Sequence, residues 1–410
     1  GVTTNRIIRL NSDGTRDTGF TIGSGFNSTG ASVNKIKIQS DGNILVGGYF
    51  TSYNSITQNN IIRLNPNGNR DTGFTIGTGF SIGGNSVYSI DIQLDGKILV
   101  GGNFSVYNGS SNSDIVRLNP DGTKDTGFTI GTGFDNDVRC IKVISNNKIL
   151  ISGRFITYNG IYVNRLVVLN INGTIDNNFN RYTGYNNIIY SSIEQSDGTI
   201  ISGGAFTQFG GENINRLIRL NENGTIDTGF TIGNGFNTLI NDIKIQTDGK
   251  ILVSGTFITY NNYNYNRIIR LNQDGTIDTG FTIGSGFDNT PRTLDIQPDG
   301  KILCAGDFTS YSGTSYNRVI RLNENGTIDT GFNIGTGFPN TIYSILYYSN
   351  DKIIIGGGYT SFNGLSYNSI ICLNNNGSVD KYFISDLGYS SAVYSIIKTQ
   401  DNDILVGGNF

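Results

Sequence analysis

One short segment returns eight times along the 410-residue chain and sets its organisation. Its first copy reads Asn5-Arg6-Ile7-Ile8-Arg9-Leu10-Asn11, and its leucine marks the register of every later copy. Successive marker leucines are 54 residues apart twice and 51 residues apart five times. Eight copies account for the whole chain without a linker, so repetition decides the architecture. The marker leucines are Leu10, Leu64, Leu118, Leu169, Leu220, Leu271, Leu322 and Leu373.

Each copy contains the signals of four short strands, as the copy that begins at Arg216 illustrates. Residues 217–220 read as a strand that ends in a turn, and residues 225–227 as a short extended return. After a Gly-rich loop, residues 240–245 and 250–253 form two further strands around Asp248-Gly249. We predict a type I′ turn at this Asp-Gly pair, with positive φ at both residues.

This repeat predicts an all-β fold, because the chain offers no helical period with caps and its turns come too often for helices. A copy of about 51 residues with four strands is typical of one blade of a β-propeller. A sheet this small cannot bury both faces alone, so neighbouring copies must cover it. The sequence therefore predicts an eight-bladed β-propeller that occupies residues 1–410 as one domain.

The two ends of the chain are complementary parts of one copy. The sequence stops at Gly407-Gly408-Asn409-Phe410, just after an apolar strand, and its first five residues correspond to Gly160–Asn164 inside another copy. We expect the last blade to take two strands from each terminus, which would close the ring without a free sheet edge. The alternative is that the sequence is cut from a longer array of copies.

Copies four positions apart resemble each other more than their neighbours do. The first and fifth share an Ile-Lys-Ile-Gln strand, at residues 36–39 and 243–246. The fourth and eighth both lose the Gly-rich loop after Asp176 and Asp380. This pattern predicts that a four-blade ancestor doubled, which would give the ring a pseudo-twofold axis.

Several motifs resemble the delta-60 repeat. They run from Arg219-Leu220-Asn221 through Asp227-Thr228-Gly229-Phe230 to residues 245–253, and they include Gly101-Gly102-Asn103-Phe104 and Tyr107-Asn108-Gly109. The resemblance covers essentially the full chain and implies a β-propeller of a kind found in surface or secreted bacterial proteins and in viral and phage proteins. It implies no reaction. The fourth and eighth copies depart from the pattern.

The composition argues against an enzyme. The chain has no histidine, which removes His-dependent triads, His-ligated metals and the commonest general base. One aspartate recurs in all eight copies, and eight equivalent acids indicate a structural task such as accepting backbone N–H groups in a turn. We therefore predict no catalytic residues. The recurring acids are Asp17, Asp71, Asp125, Asp176, Asp227, Asp278, Asp329 and Asp380.

Cofactor and metal sites are not expected either. The Ile-Gly-x-Gly-Phe loop, as in residues 22–26, lacks the following helix of a phosphate cradle, so we interpret it as a tight connection with a buried Phe plug. Cys140, Cys304 and Cys372 have no ligand-like spacing, and we interpret them as small apolar strand residues. The Asp-Gly turns lack the closely spaced oxygen ligands of a calcium loop.

The best binding candidates are residues that break the repeat in its fourth and eighth copies. A tyrosine ring offers an apolar face and a polar tip, which suits protein partners or sugars. The alternative is that these tyrosines replace the Phe plug in the core. The six candidates are Arg181, Tyr182, Tyr185, Lys381, Tyr382 and Tyr389.

We expect a non-catalytic structural or interaction propeller on a surface, either a virion or phage particle or the outside of a cell. A carbohydrate- or receptor-binding propeller is the alternative, and a glycoside-cleaving enzyme would need two acids outside the repeat. The net charge is only −3 and the Lys and Arg residues are scattered, which disfavours nucleic acid as a partner. No apolar run reaches the length of a membrane span, so we expect no membrane insertion.

Overall fold

The computed structural model describes residues 6–26, 30–81, 86–179, 184–348, 351–383, 391–399 and 401–410. The chain divides into two compact units. Unit 1 comprises Gly1–Leu10, Arg16–Ile188 and Thr399–Phe410, and unit 2 comprises Asn11–Thr15 and Ile189–Lys398. Among the described residues there is no α-helix, and one single-turn 3-10 helix covers Ser145–Asn147.

Unit 1 repeats one arrangement three times, a three-stranded antiparallel sheet and a separate two-stranded hairpin. The sheets have the strand orders β2-β3-β6, β7-β8-β11 and β12-β13-β16. The strands in chain order are β1 (Ile7–Leu10), β2 (Ser32–Ile38), β3 (Ile44–Tyr49), β4 (Ser52–Tyr53), β5 (Ile56–Thr57), β6 (Ile61–Leu64), β7 (Ser86–Ile92), β8 (Ile98–Asn103), β9 (Val106–Tyr107), β10 (Ser110–Ser111), β11 (Ile115–Leu118), β12 (Val138–Val143), β13 (Ile149–Gly153), β14 (Thr157–Tyr158), β15 (Ile161–Tyr162) and β16 (Leu166–Leu169).

Unit 2 contains the same arrangement four times, followed by β37. Its strands are β17 (Ile189–Glu194), β18 (Ile200–Gly204), β19 (Gln208–Phe209), β20 (Glu212–Asn213), β21 (Leu217–Leu220), β22 (Ile240–Ile245), β23 (Ile251–Gly255), β24 (Thr259–Tyr260), β25 (Tyr263–Asn264), β26 (Ile268–Leu271), β27 (Pro291–Ile296), β28 (Ile302–Gly306), β29 (Ser310–Tyr311), β30 (Thr314–Ser315), β31 (Val319–Leu322), β32 (Ile342–Tyr347), β33 (Ile353–Gly357), β34 (Ser361–Phe362), β35 (Leu365–Ser366), β36 (Ile370–Leu373) and β37 (Val393–Lys398). The last strand of the chain, β38 (Ile404–Gly408), belongs to unit 1.

Three of the four strands predicted in each copy are confirmed, and the fourth is not a strand. In the copy that begins at Arg216, β21, β22 and β23 match the expected segments. The predicted return at residues 225–227 is a single bridge between Leu220 and Ile226. The hairpin β24–β25, which was not predicted, connects β23 to β26 instead. Its two-residue strands are too short to show a period in the sequence.

The prediction of a type I′ turn at Asp248-Gly249 is wrong. Only Gly249 has a positive φ, of 80°. The Gly249 N–H donates to the Gln246 carbonyl, and the Gln246 N–H donates to the Lys250 carbonyl. This is a three-residue loop that ends in a left-handed glycine. The Asp248 carboxylate accepts the Lys250 N–H at 3.0 Å, so the aspartate stabilises the turn through its side chain.

The hydrophobic core lies between consecutive sheets within each unit. In unit 1, Leu45 and Ile61 of one sheet join one buried cluster with Phe80, Val100 and Tyr107 of the next copy. In unit 2, Ile201 and Leu217 join Phe236, Val253 and Tyr260 in the same way. Each sheet thus hides its apolar faces against its neighbours, as the repeat predicted.

The Phe of each Gly-rich loop is a core residue, as predicted. Phe80 is 1% exposed, and its ring centroid lies 4.3 Å from that of Phe104 and 5.0 Å from that of Tyr107. Phe236 packs in the same manner in unit 2, with its centroid 4.6 Å from that of Phe257. Packing of these buried phenylalanine rings attaches each Gly-rich loop to the hairpin of its own copy.

Side chains join the first strands of consecutive sheets. The Ser89 hydroxyl on β7 accepts the Ile141 N–H of β12 at 2.9 Å, and the Asp91 carboxylate accepts the Val143 N–H at 2.7 Å. In unit 2, Asp295 accepts the Tyr347 N–H at 2.8 Å. These bonds satisfy N–H groups on the outer side of a sheet's edge strand, which would otherwise invite pairing with another chain.

The first strand of the chain pairs with the last. Strand β1 runs antiparallel to β38, with Ile7 opposite Gly407 and Leu10 opposite Ile404. The same register pairs β6 with β3, where Leu64 lies opposite Ile44. Strands from both termini thus pair in one copy, as expected, but the second strand expected from the N-terminal end is only a single bridge between Leu10 and Arg16.

Candidate functional site

In each of the six copies that keep the strand arginine, the recurring aspartate binds both a turn N–H group and that arginine. We call this pair of contacts the clamp. In unit 2, one oxygen of Asp227 accepts the Gly229 N–H at 2.8 Å and the other accepts Arg219 Nε at 2.6 Å. The Arg219 guanidinium also lies 4.8 Å from the ring centroid of Phe230 and donates to the carbonyl of Gln273 in the following copy. The acid therefore fixes a turn and orients an arginine that joins two copies.

In the fourth and eighth copies Val168 and Cys372 replace the arginine, and a lysine provides the cation beside the acid instead. Lys148 Nζ lies 2.6 Å from Asp176, and Lys352 Nζ lies 2.8 Å from Asp380. Each carboxylate is thus used inside the fold in every copy. The structural interpretation of the repeated acids accounts for all of these contacts.

Tyr185 occupies the position of the Phe plug, which the alternative interpretation predicted. Its side chain is 1% exposed, its backbone N–H donates to the Asn164 carbonyl at 3.0 Å, and its carbonyl accepts Arg165 at 2.6 Å. In unit 2 the carbonyl of Phe287 accepts Arg267 in the same way. The fourth copy therefore keeps the end of its Gly-rich loop as Gly184-Tyr185, although its sequence is changed before that point.

Lys381 and Tyr382 lie on the surface. Tyr382 is 70% exposed, its backbone N–H donates to Asp380 at 3.1 Å, and Lys381 Nζ lies 5.5 Å from its ring centroid. The other three candidates, Arg181, Tyr182 and Tyr389, lie outside the described residues. A binding role for the exposed pair remains a prediction.

A different set of side chains stands at one recurring backbone irregularity. In seven of the described sheets the first strand contains a β-bulge directly after its first buried apolar residue. In β32 the register shifts between Ile342 and Ser344, so Tyr343 has no partner on β33. Bulges re-aim side chains and are common beside functional sites. We call the residues at this position the bulge row. The row contains Asn34, Tyr88, Arg139, Tyr190, Asn241, Arg292 and Tyr343, and Tyr394 takes the same position by sequence.

The glycine opposite each bulge makes room for it. A Cβ placed on Gly357 would lie 2.5 Å from the Thr341 carbonyl oxygen, and one on Gly48 would lie 2.0 Å from the Ser32 carbonyl oxygen. No side chain fits at such distances. The glycine at this position is therefore a requirement of the bulge.

In unit 1 the bulge row holds a stacked cation. The Arg139 guanidinium carbon lies 4.1 Å from the ring centroid of Tyr88, and its terminal nitrogen lies 2.5 Å from Asp137. Asn34 donates to the Ser86 hydroxyl at 2.8 Å on the next sheet. About a third of the Arg139 side chain (35%) stays exposed, so this pair is both ordered and accessible.

In unit 2 three members of the bulge row contact each other in sequence. Arg292 lies 5.9 Å from the ring centroid of Tyr343, whose centroid lies 5.3 Å from that of Tyr394 in an edge-to-face arrangement. Arg292 also donates to Asp307 at 2.7 Å, and the Thr341 hydroxyl donates to the other Asp307 oxygen at 2.7 Å. These contacts hold the exposed Arg292, Tyr343 and Tyr394 side chains in place.

The electrostatics of this cluster keep its acid ionised. Burial alone would raise the pKa of Asp307, but the hydrogen bonds from Arg292 and Thr341 outweigh it and hold the pKa below the ordinary value. Arg292 is thereby neutralised by a fixed partner. The cluster offers two partly exposed aromatic rings and one guanidinium plane, which are contact groups and not a general acid and base.

Sequence reasoning missed the bulge row because it sought departures from the repeat in the loops. The sequence did carry a signal: the residue after the first buried apolar residue of each sheet's first strand is Asn, Tyr or Arg in all eight copies. Its exposure depends on the bulge, which strict alternation of sides along a strand does not predict.

The described part of the chain contains no group of three or more side chains arranged to hold a metal ion. Within the same residues no helix is long and apolar enough to span a membrane. Cys304 and Cys372 are buried on strands, Cys140 is partly buried, and all three are free thiols, as expected of apolar strand residues. Burial raises the pKa of each thiol.

Several solved structures resemble the chain at low sequence identity. The extracellular domain of the one-component system BT4673 from B. thetaiotaomicron is 14% identical with a TM-score of 0.45, over 92% of this chain and 44% of that domain. The C-terminal WD40 domain of Sif2 is 11% identical with a TM-score of 0.48, over 98% and 97% of the two chains. YCF48 bound to D1 peptide is 8% identical with a TM-score of 0.41, over 99% and 98%.

The chain spans less than half the length of the B. thetaiotaomicron domain that it resembles. At these TM-scores the likenesses support no functional conclusion. No curated protein matches the chain in sequence.

One family matches the chain directly. Its description is a domain of unknown function (DUF5122) β-propeller, and its sequence model matches residues 1–20, 39–74, 93–128, 144–179, 195–230, 246–281, 297–332 and 349–383. One matched segment falls in each of the eight copies, and together they cover more than half of the chain. The chain therefore belongs to the DUF5122 β-propeller family.

Proposed function

We propose that this chain is a non-catalytic interaction propeller that binds protein partners through Arg292, Tyr343 and Tyr394 of the bulge row in unit 2. The observation that carries the proposal is the contact series Arg292–Tyr343–Tyr394, in which side chains ordered by packing remain partly exposed. Tyrosine and arginine are the residues enriched at the energetic centres of protein interfaces. Side chains fixed before binding lose less conformational entropy when a partner docks.

The wider assignment rests on the repeat. Eight matched segments support one eight-bladed ring over residues 1–410, and the pairing of β1 with β38 supports closure by both termini. The resemblance to delta-60 repeats supports display on a surface, either a virion or phage particle or a cell exterior. Imaging the native assembly by cryo-electron microscopy tests the display, since a soluble, unattached propeller would contradict it.

A selection from a random peptide library tests the binding surface. Peptides enriched on the immobilised chain are measured against the Tyr343→Ala/Tyr394→Ala double variant and against Tyr263→Ala. Tyr263 is a control because it is 64% exposed on a hairpin outside the bulge row. We expect the double variant to weaken binding by tenfold or more, since truncating an interface tyrosine at a hot spot costs about 2 kcal/mol.

Two outcomes would overturn this function. One is a set of enriched peptides that bind the double variant as well as the unchanged chain. The other is a glycan array on which the chain binds sugars while the peptide library yields no ligand, which would establish the carbohydrate-binding alternative. A matched melting curve for each variant shows that the fold is intact.

A further inference from the structure

The first strands of the three sheets in unit 1 bring lysines together. Lys35 and Lys37 lie on β2 and Lys142 lies on β12, and both strands pack against β7 between them. We call these three residues the lysine cluster. Lys35 and Lys142 are exposed, and 39% of the Lys37 side chain is exposed.

One carboxylate lies among these lysines, and the fold already uses it. Asp91 is 6% exposed; one oxygen lies 2.7 Å from Lys37 Nζ, and the other accepts the Val143 N–H at 2.7 Å. Lys35 and Lys142 have no carboxylate within 4.0 Å among residues that the structure describes. Two positive charges of the cluster are therefore not neutralised by the chain.

Lys35 and Lys142 influence the same thiol, that of Cys140, although they belong to different copies. Burial raises the pKa of the Cys140 thiol, and both Lys35 and Lys142 pull that pKa back down. An influence of both ammonium groups on one thiol agrees with the packing of β2 and β12 against β7. The cluster thus forms one local field and not three isolated charges.

Unit 2 does not repeat the cluster, although Lys244 keeps a lysine at one of its positions. The residue that matches Lys35 in the fifth copy is Asp242, and the residue that matches Lys142 in the seventh is Leu346. Lys244, which matches Lys37, has Asp242 at 3.9 Å. A copy therefore folds without exposed lysines at the positions of Lys35 and Lys142, which leaves these two ammonium groups available to a ligand.

We propose that the lysine cluster binds an acidic segment of a partner protein. The inference deepens the proposed function and rests on it, because it names the charge of the partner. Carboxylates on a flexible peptide can each reach one ammonium group of the cluster. A nucleic-acid backbone is disfavoured because the whole chain carries a net charge of −3 and a backbone would need a longer basic track.

Fluorescence anisotropy with a labelled hexaglutamate peptide, at low salt, tests the cluster. Hexaglutamine and hexathymidylate serve as the neutral and phosphate-bearing probes. We expect hexaglutamate to bind and the other two to bind at least tenfold more weakly. The Lys35→Gln/Lys142→Gln double variant should bind hexaglutamate about tenfold more weakly, and Lys244→Gln, the matched control, within twofold of the unchanged chain.

Equal hexaglutamate binding by the double variant and the unchanged chain would overturn the inference. Tighter binding of hexathymidylate than of hexaglutamate would also overturn it in favour of nucleic acid. The two proposals fail separately. If hexaglutamate binding depends on the lysines but the library peptides bind equally well without Tyr343 and Tyr394, only the bulge-row proposal fails. If the library peptides require these tyrosines but hexaglutamate binding does not depend on the lysines, only the lysine-cluster proposal fails.

Discussion

Asp114 is a buried acid at a position where the other copies carry neutral or basic residues. It lies immediately before β11 with a φ of 66°, and its side chain accepts the Phe104 N–H at 2.9 Å. Asn60 stands at this position in the preceding copy, and arginine stands there in five others. Asp114 itself is 8% exposed.

Burial raises the pKa of Asp114 from 3.8 to about 6, with Asp137 and Asp135 adding to the rise and the Phe104 N–H opposing it. Because the folded pKa lies above the unfolded one, the folded chain holds this proton more tightly. The associated stability is complete below pH 3.8 and is lost as the pH rises through about 6. The loss is about 3 kcal/mol, since each pKa unit corresponds to about 1.4 kcal/mol.

We therefore expect Asp114→Asn to stabilise the chain above pH 6 by about 3 kcal/mol and to leave its stability nearly unchanged at pH 4. Asparagine tolerates the left-handed backbone, and Asn60 shows the fit, with a φ of 64° and a 3.0 Å bond to the Gly48 carbonyl. Urea denaturation of both proteins between pH 4 and pH 8 measures the difference and cancels all other titrating groups.

The reverse change provides the control. Asn60→Asp should destabilise the chain increasingly as the pH rises, because it places a carboxylate in an equally buried site that is 4% exposed in the native chain. If the denaturation midpoints of the unchanged chain and Asp114→Asn run parallel across this pH range, the carboxylate is not destabilised by its surroundings and the reasoning fails.

Three further changes test the packing. Tyr260→Phe removes a buried 2.6 Å hydrogen bond to a backbone carbonyl and should lower the unfolding free energy by about 1 kcal/mol in urea denaturation; no change would contradict the bond. Asp278→Ala leaves Arg270, whose side chain is 5% exposed, without its acid and should cost about 3 kcal/mol by the same assay; a loss below 1 kcal/mol would show that the clamp is dispensable. Gly357→Ala should lower the melting temperature sharply because its Cβ would meet backbone at 2.5 Å, whereas Gly358→Ala, with contacts at 3.6 Å, should be tolerated; equal melting temperatures would refute the bulge requirement.

Long, strongly patterned strands were predictable from the sequence, and short or irregular ones were not. The strand predicted at residues 250–253 corresponds to β23, because residues 251–253 are all apolar and a strand covered on both faces needs an apolar residue at each position. The return at residues 225–227 was predicted as a strand, yet it forms one bridge. Local propensity is too weak to fix pairing over two or three residues.

The sequence by itself determined the number of copies, the all-β class and the buried plugs, because a repeat and its apolar spacing are local and linear properties. Tertiary structure decided the candidate surface. A bulge shifts the register by one residue and turns Tyr343 away from the alternating pattern, and the glycine that permits it lies 14 positions further along the chain. Tertiary structure also decided the charge state of Asp114, since its neighbours Asp135 and Asp137 approach it only after the sheets pack, and burial then disfavours the carboxylate.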